Sequence, residues 1–120
     1  MGRCPGTGAG APRPRVSLTR VVLPEAADEL VDAVGWYEEK RAGLGAEFFG
    51  AVDAGMSQVC ATPFIAAIWP GLSRYRRLVL QRFPYVLVYE VRGDEIEFVA
   101  IAHTSRRPGY WTERLLTRAT

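Results

Sequence analysis

A single histidine, two cysteines and no long apolar run mark this 120-residue chain, and each scarcity removes a class of function. No stretch approaches the roughly 20 apolar residues of a membrane-spanning helix. The N-terminus lacks the apolar core of a signal peptide. Met1-Gly2 resembles the start of a myristoylation signal, but Gly6 stands where Ser or Thr is needed. Cys4 lies in a Gly/Pro-rich tail and Cys60 at the end of an apolar helix face. They are therefore expected not to form a designed bridge, with Cys60 acting as a small hydrophobe in a reducing cytoplasm. Neither has a histidine near it in sequence, so zinc spacing is missing, and neither metal nor cofactor is expected. Gly6-Thr7-Gly8-Ala9-Gly10 lacks both a preceding strand and the Gly-Lys-Ser/Thr ending of a phosphate loop. There is no internal repeat.

The length suits one domain with a core of its own. Apolar residues make up 48% and charged residues 23%, the balance of a soluble globular protein. Net charge is only +2, but its sign is unevenly spread. Glu25, Asp28, Glu29, Asp32, Glu38, Glu39, Glu47 and Asp53 make the first half acidic. Arg74, Arg76, Arg77, Arg82, Arg106 and Arg107 make the second half basic. That clustering implies one basic face and an anionic partner.

Residues 1–15 are Gly, Pro, Ala and Arg with little to bury, and are expected to be a disordered tail. An alternative is that translation begins near Val16, which N-terminal mass spectrometry of the native protein would test. Residues 16–117 are expected to form the single domain. Val16 to Leu23 is β-branched and apolar, a first strand. Pro24 suits the first turn of a helix, where Glu25, Asp28 and Glu29 complement the dipole. Ala27, Leu30, Val31, Val34 and Tyr37 recur at helical spacing through about Lys40. Gly43 and Gly45 break the chain. A second helix carries Leu44, Phe48, Val52, Met56, Val59 and Cys60 on one face and stops before Pro63. Two amphipathic helices so closely joined form an antiparallel hairpin.

From Ser73 the period changes to that of strands: Arg74 to Leu80, Tyr85 to Val91 and Glu95 to Ala102. Their short connections make hairpins. Val86 and Val88 face one way and Tyr85, Leu87, Tyr89 and Val91 the other, so the middle strand is covered at least partly on both sides. Alternation places Ile96, Phe98, Ala100 and Ala102 on one face of the last strand, and Val99, Ile101 and His103 on the other. The order β-α-α-β-β-β predicts an α+β fold: an N-terminal strand, an antiparallel helical hairpin and a three-stranded antiparallel meander in one small twisted sheet.

The last strand runs into His103-Thr104-Ser105-Arg106-Arg107-Pro108-Gly109-Tyr110-Trp111. An imidazole, two guanidiniums and two rings in nine residues make a recognition surface, since guanidiniums suit phosphates or carboxylates and rings suit stacking.

With that motif, the chain resembles the RelE/ParE superfamily of toxins from bacterial type II toxin–antitoxin systems, in its ParE-like branch. The resemblance spans Val16 to Arg114. It rests on Ala33-Val34-Gly35-Trp36-Tyr37-Glu38, Gly43-Leu44-Gly45-Ala46-Glu47-Phe48, Pro63, Arg82-Phe83-Pro84-Tyr85-Val86-Leu87-Val88-Tyr89, and His103 through Trp111. It implies the same fold and a growth-inhibiting protein silenced by a cognate antitoxin. Two mechanisms share this fold. ParE-like members resemble inhibitors that trap DNA gyrase on cleaved DNA. RelE-like members resemble metal-independent endoribonucleases that cleave messenger RNA on the ribosome. The ParE-like reading is preferred, because no catalytic pair stands out. Arg74, Arg76, Arg77, Arg82, Arg106 and Arg107 are then the target-binding residues. The nuclease alternative would use His103, Arg82 and Arg106, with Tyr85, Tyr89 or Tyr110 assisting. Trp36, Phe49 and Ile68 are candidates for antitoxin contact, by groove insertion or strand addition at a sheet edge. A non-toxic basic binding module, or an inactive toxin remnant, would share all these features.

Structural roles compete with functional ones. His103 at a strand end can simply bond local backbone. Phe83, Pro84 and Tyr85 set the start of a strand, and Pro108, Tyr110 and Trp111 are expected to fold back and anchor the tail. Of Trp36 and Tyr37, one faces the core and one its margin. Arg76 alternates with Leu78 and Leu80 and is expected to pair with an acid on the first helix.

Overall fold

Pro24 locks the first helical φ where no N–H is needed, and α1 (Pro24–Lys40) runs from it, with Glu25 in its first turn and Lys40 in its last. The computed structural model describes residues 18–114. The expected tail 1–15, the first residues of the expected opening strand and residues 115–117 of the expected domain lie outside that range. Ala26, Ala33 and Tyr37 are the buried residues of α1. The stripe is therefore turned slightly from the one expected, and Val31 stands 68% exposed. The small side chains of Ala26 and Ala33 form the inward stripe, which lets the helix lie close to the strand beneath it.

Helix α2 (Leu44–Ala61) buries Phe48, Val52, Met56, Val59 and Cys60 as expected, together with Gly45 and Gly55. The connection turns at Gly43, whose φ of +89° suits glycine. No side chain of α2 caps its own start. Glu38 of α1 does so instead, accepting the Gly43 N–H at 3.0 Å and the Gly45 N–H at 3.0 Å. The carboxylate thus meets the positive end of α2.

The sheet contains β1 (Thr19–Val22), β2 (Ala67–Trp69), β3 (Leu72–Val79), β4 (Tyr85–Arg92) and β5 (Glu95–His103), in the order β1-β5-β4-β3-β2. β1 runs parallel to β5, and every other pairing is antiparallel. The α+β fold, hairpin and meander stand as expected. One short strand is added: β2, which forms the edge beside β3, opposite the β1 edge. Between β4 and β5, Val88 pairs with Ala100 but Tyr89 with Phe98, so Val99 is an extra residue. This bulge breaks the expected alternation. Ile96 and Phe98 share the helix-facing side with Ile101 and His103, while Ala100 and Ala102 face outward.

Both faces of β4 are covered: Leu87, Val88 and Tyr89 are fully buried. The hairpin covers one face. On the other, Trp111 is 0% exposed, edge-on to Trp69 with ring centres 5.2 Å apart and 5.3 Å from the ring of Tyr75. The C-terminal segment therefore anchors as expected. Two expectations fail. Cys60 is disulfide-bonded; its carbonyl accepts the Leu18 N–H at 3.2 Å, so the chain enters the fold beside it, a proximity no sequence spacing reveals. The other cysteine, Cys4, lies outside the described residues. Arg76 does not reach α1; its guanidinium donates to the Ala66 carbonyl at 2.7 Å and lies 4.9 Å over the Phe64 ring, because β3 lies beside β2 and α1 packs on β5. Among the described residues, no helix is long and apolar enough to cross a membrane.

Candidate functional site: two clefts beside the C-terminal strap

β1 stops at Val22, and the Leu23 N–H makes its last contact with the Phe98 carbonyl. Beyond Phe98 no strand of the described residues lies beside this edge of β5. Side chains take over. Glu29 of α1 accepts the Ile101 N–H at 2.9 Å, and Arg114 donates to the Val99 carbonyl at 2.8 Å. Arg114 also pairs with Glu29 at 2.7 Å, and the Tyr110 hydroxyl donates to the same carboxylate. Residues 104–114 thus form a strap that crosses the open edge of β5, with Tyr110 and Arg114 clasped to α1 and Trp111 on the outer face of the sheet. Burial, the Glu29 hydrogen bond and the Glu29 charge push the Tyr110 phenol far above its ordinary value.

On the helix side of the strap lies a cleft of about 520 Å³, with Glu29, Asp32, Trp36, Tyr85, His103 and Arg106 in its wall. His103 ends β5, as expected. Its Nδ1 accepts the Ser105 N–H at 3.0 Å and lies 2.8 Å from the Ser105 hydroxyl, and its ring stands edge-on to Tyr85, 5.1 Å away. A Nδ1 that accepts a backbone N–H leaves the neutral ring with its proton on Nε2. Burial raises the Tyr85 phenol, helped by Tyr37 and Glu29, and burial alone raises Tyr37. Both therefore stay protonated at neutral pH and can donate but not act as bases.

On the outer side of the strap lies a cleft of about 200 Å³ that includes Trp69, Arg77, Arg106, Arg107, Tyr110 and Trp111. His103 and Arg106 line both clefts. Arg106 lies 3.8 Å over the Tyr110 ring and Arg77 5.4 Å over Trp69. The expected arginine face is thus divided. Arg74 places Nε and Nη2 3.0 and 2.6 Å from one oxygen of Glu90, which raises its pKa by hydrogen bond and charge. Arg82 pairs with Glu47 at 2.8 Å, at the start of α2 and outside both clefts. Hydrogen bonds from Arg82 and Arg41 hold the Glu47 carboxyl below its ordinary range. His103 and Arg106 come together, and Arg82 does not join them. Among the described residues, no cluster of three or more metal-binding side chains exists.

Trp36, Phe49 and Ile68 are 53%, 51% and 47% exposed. Phe83 is buried, Tyr85 half-buried, and Pro84 exposed at the lip of the larger cleft. Sequence patterning does not single out Glu29 or Asp32 as site residues. For Glu29 only its place on the stripe side of α1 hints at a role, since its partners are 72 to 85 residues away.

Residues 21–108 match the family described as ParE toxin of the type II toxin–antitoxin system parDE. This chain belongs to the ParE toxin family. A solved structure described as the chromosomal ParDE TA system from P. aeruginosa superposes with a TM-score of 0.56 at 21% identity, covering 72% of this chain and 96% of that one. At that identity the likeness is one of fold. Comparison with curated proteins gives no match. The ParE match ends at Pro108, so Tyr110, Trp111 and Arg114, which close the strap, lie beyond it.

Proposed function

We propose that this ParE-family chain is a toxin that arrests growth by acting on DNA gyrase in the cytoplasm, and that a cognate antitoxin neutralises it. The observation that carries the reading is that the would-be catalytic set is only partly assembled: His103 and Arg106 share a cleft, and Arg82 stands apart from them. His103 Nδ1 is spent on Ser105, Arg82 is paired with Glu47, and the phenols beside His103 are held protonated. A phosphodiester nuclease needs a base, an acid and cations on one phosphate; a gyrase inhibitor needs a contact surface. The surface is available in the exposed arginines of the strap, and the antitoxin has exposed apolar anchors in Trp36, Phe49 and Ile68, the last on the edge strand β2.

The nuclease reading draws support from one observation: His103 shares a cleft with Arg106 and Asp32. Inducing the protein alone, with and without the product of any adjacent gene, tests toxicity and its relief. Gyrase-dependent DNA breaks and transcript cleavage on ribosomes are then measured from the same culture. Breaks with an SOS response are expected. Prompt ribosome-positioned cleavage without them, abolished by His103→Ala in a folded protein, would move the chain to the nuclease class. No arrest would leave a binding module or inactive remnant.

A further inference from the structure

Arginines on a protein surface differ in whether their charge is already spent. In this chain Arg74 is paired with Glu90 and Arg82 with Glu47, while Arg76 keeps its charge but is tied to the Ala66 carbonyl and lies outside the outer cleft. Arg77, Arg106 and Arg107 make no ion pair among the described residues, and all three line the cleft on the outer side of the strap. Among the described residues, no carboxylate appears in its wall. Trp111, fully buried in the same wall, has an indole N–H without an acceptor. The polar side chains there are thus mostly donors, of the kind that suits an anion. At about 200 Å³ the cleft falls below the roughly 300 Å³ at which pockets for drug-sized ligands begin. It accordingly suits an anionic group presented by a larger partner.

We propose that this cleft seats a backbone phosphate of a nucleic acid, with Arg77, Arg106 and Arg107 donating to its oxygens. Two of the guanidiniums lie over rings, Arg106 on Tyr110 and Arg77 on Trp69. A guanidinium held against a ring still has its N–H edge to offer a phosphate. The outer plane of such a guanidinium also stacks on a nucleobase. A nucleic acid supplies phosphate and base side by side, whereas an acidic peptide supplies only the anion. The proposal deepens the reading of the arginines as target contacts, narrows it to three of the six, and does not depend on gyrase being the enzyme affected.

The test uses the purified full chain and a fluorescently labelled 20-nucleotide single-stranded DNA of mixed sequence, titrated by anisotropy over a range of salt. Arg77→Gln/Arg107→Gln is compared with Arg41→Gln/Arg82→Gln, which removes the same charge from the Glu47 cluster. The first variant is expected to weaken binding at least tenfold and flatten the log K against log salt slope by up to about 0.7, since the cleft seats one phosphate and each neutralised phosphate of a single strand contributes about 0.7. The second is expected to match the unaltered protein. Circular dichroism checks folding, and Arg107→Gln alone, at an exposed position, should weaken binding in the same direction and flatten the slope by less than the double variant does. Equal weakening in both variants, absence of DNA binding, or binding of a labelled oligoglutamate instead with the same dependence on Arg77 and Arg107 would each overturn the proposal. Gyrase-dependent breaks are scored separately in cells: breaks that persist when DNA binding is absent would sink the phosphate cleft and leave the gyrase reading standing.

Discussion

Glu29 stands where α1 faces the uncovered edge of β5, and its two oxygens meet donors that would otherwise be buried without acceptors. The Glu29 and Arg114 side chains are only 16% and 15% exposed. In such a pair, removing one charge strands the other. Glu29→Gln is therefore expected to cost on the order of 3 kcal/mol in urea unfolding. In a double-mutant cycle with Arg114→Gln, coupling of at least about 1 kcal/mol is expected; additive effects would show that the clasp is not a unit. Tyr110 gives the same clasp a pH dependence. Its folded pKa is raised, so its contribution is complete below the unfolded value of about 10 and is lost as pH rises through the folded one. Stability should fall on the alkaline side, and Tyr110→Phe should make that decline shallower. A residual slope remains from Tyr37, Tyr85 and Tyr89, all raised by burial. An identical alkaline slope in the variant would remove Tyr110 from the account. In the sequence Glu29 reads only as an acid suited to the helix dipole. Its hydrogen-bond partners Tyr110 and Arg114 are 81 and 85 residues away, and no local pattern encodes that distance. The bonding of Cys60 is illegible for the same reason.

At the scale of elements, both helices begin and end where proline, glycine and apolar spacing place them, since each of those signals acts within a turn or two. Features made by two elements together are harder to read. The Val99 bulge exists only in the register of β5 against β4. β2 is three residues between Pro63 and Pro70 with no alternation, and is a strand only because β3 lies beside it. The hairpin contains a sharper case. A Cβ on Gly45 would lie 2.7 Å from the Val34 carbonyl oxygen, whereas one on Gly50 meets nothing within 4 Å. Gly45→Ala should therefore force α1 and α2 apart and cost about 1–3 kcal/mol. Gly50→Ala, exposed in the same helix, should stabilise by up to about 1 kcal/mol. Chemical denaturation of the two variants measures both, and shifts of the same sign would rule out a close hairpin contact as the reason for Gly45.

Across the whole molecule, the strap divides the basic C-terminal motif into a helix side and a sheet side; exposed Trp36 lies in the helix-side cleft with Arg106, while none of Trp36, Phe49 and Ile68 lines the sheet-side cleft. The unequal charge of the two halves and the identity of the anchor residues are legible in the sequence. Which arginines are neutralised at home is not, because Glu47 and Glu90 meet theirs only in the fold. Separation of the two surfaces has a consequence for a toxin with an antitoxin. If the antitoxin sits on Trp36, Phe49 and Ile68 and the target on the sheet-side cleft, as proposed, the two are expected to be disabled independently. Trp36→Ser, Phe49→Ser and Ile68→Ser should each weaken antitoxin binding by about tenfold to a hundredfold, the range of interface anchors. Growth arrest by the toxin alone should persist. Val79→Ser, equally apolar and 58% exposed at the end of β3, serves as the control and should bind as the unaltered protein does. Calorimetry of each variant against the antitoxin, with thermal unfolding to check integrity, gives the comparison. Unchanged affinity in all three anchor variants would place the antitoxin on another face, and a folded variant that neither binds antitoxin nor arrests growth would show that one surface serves both partners.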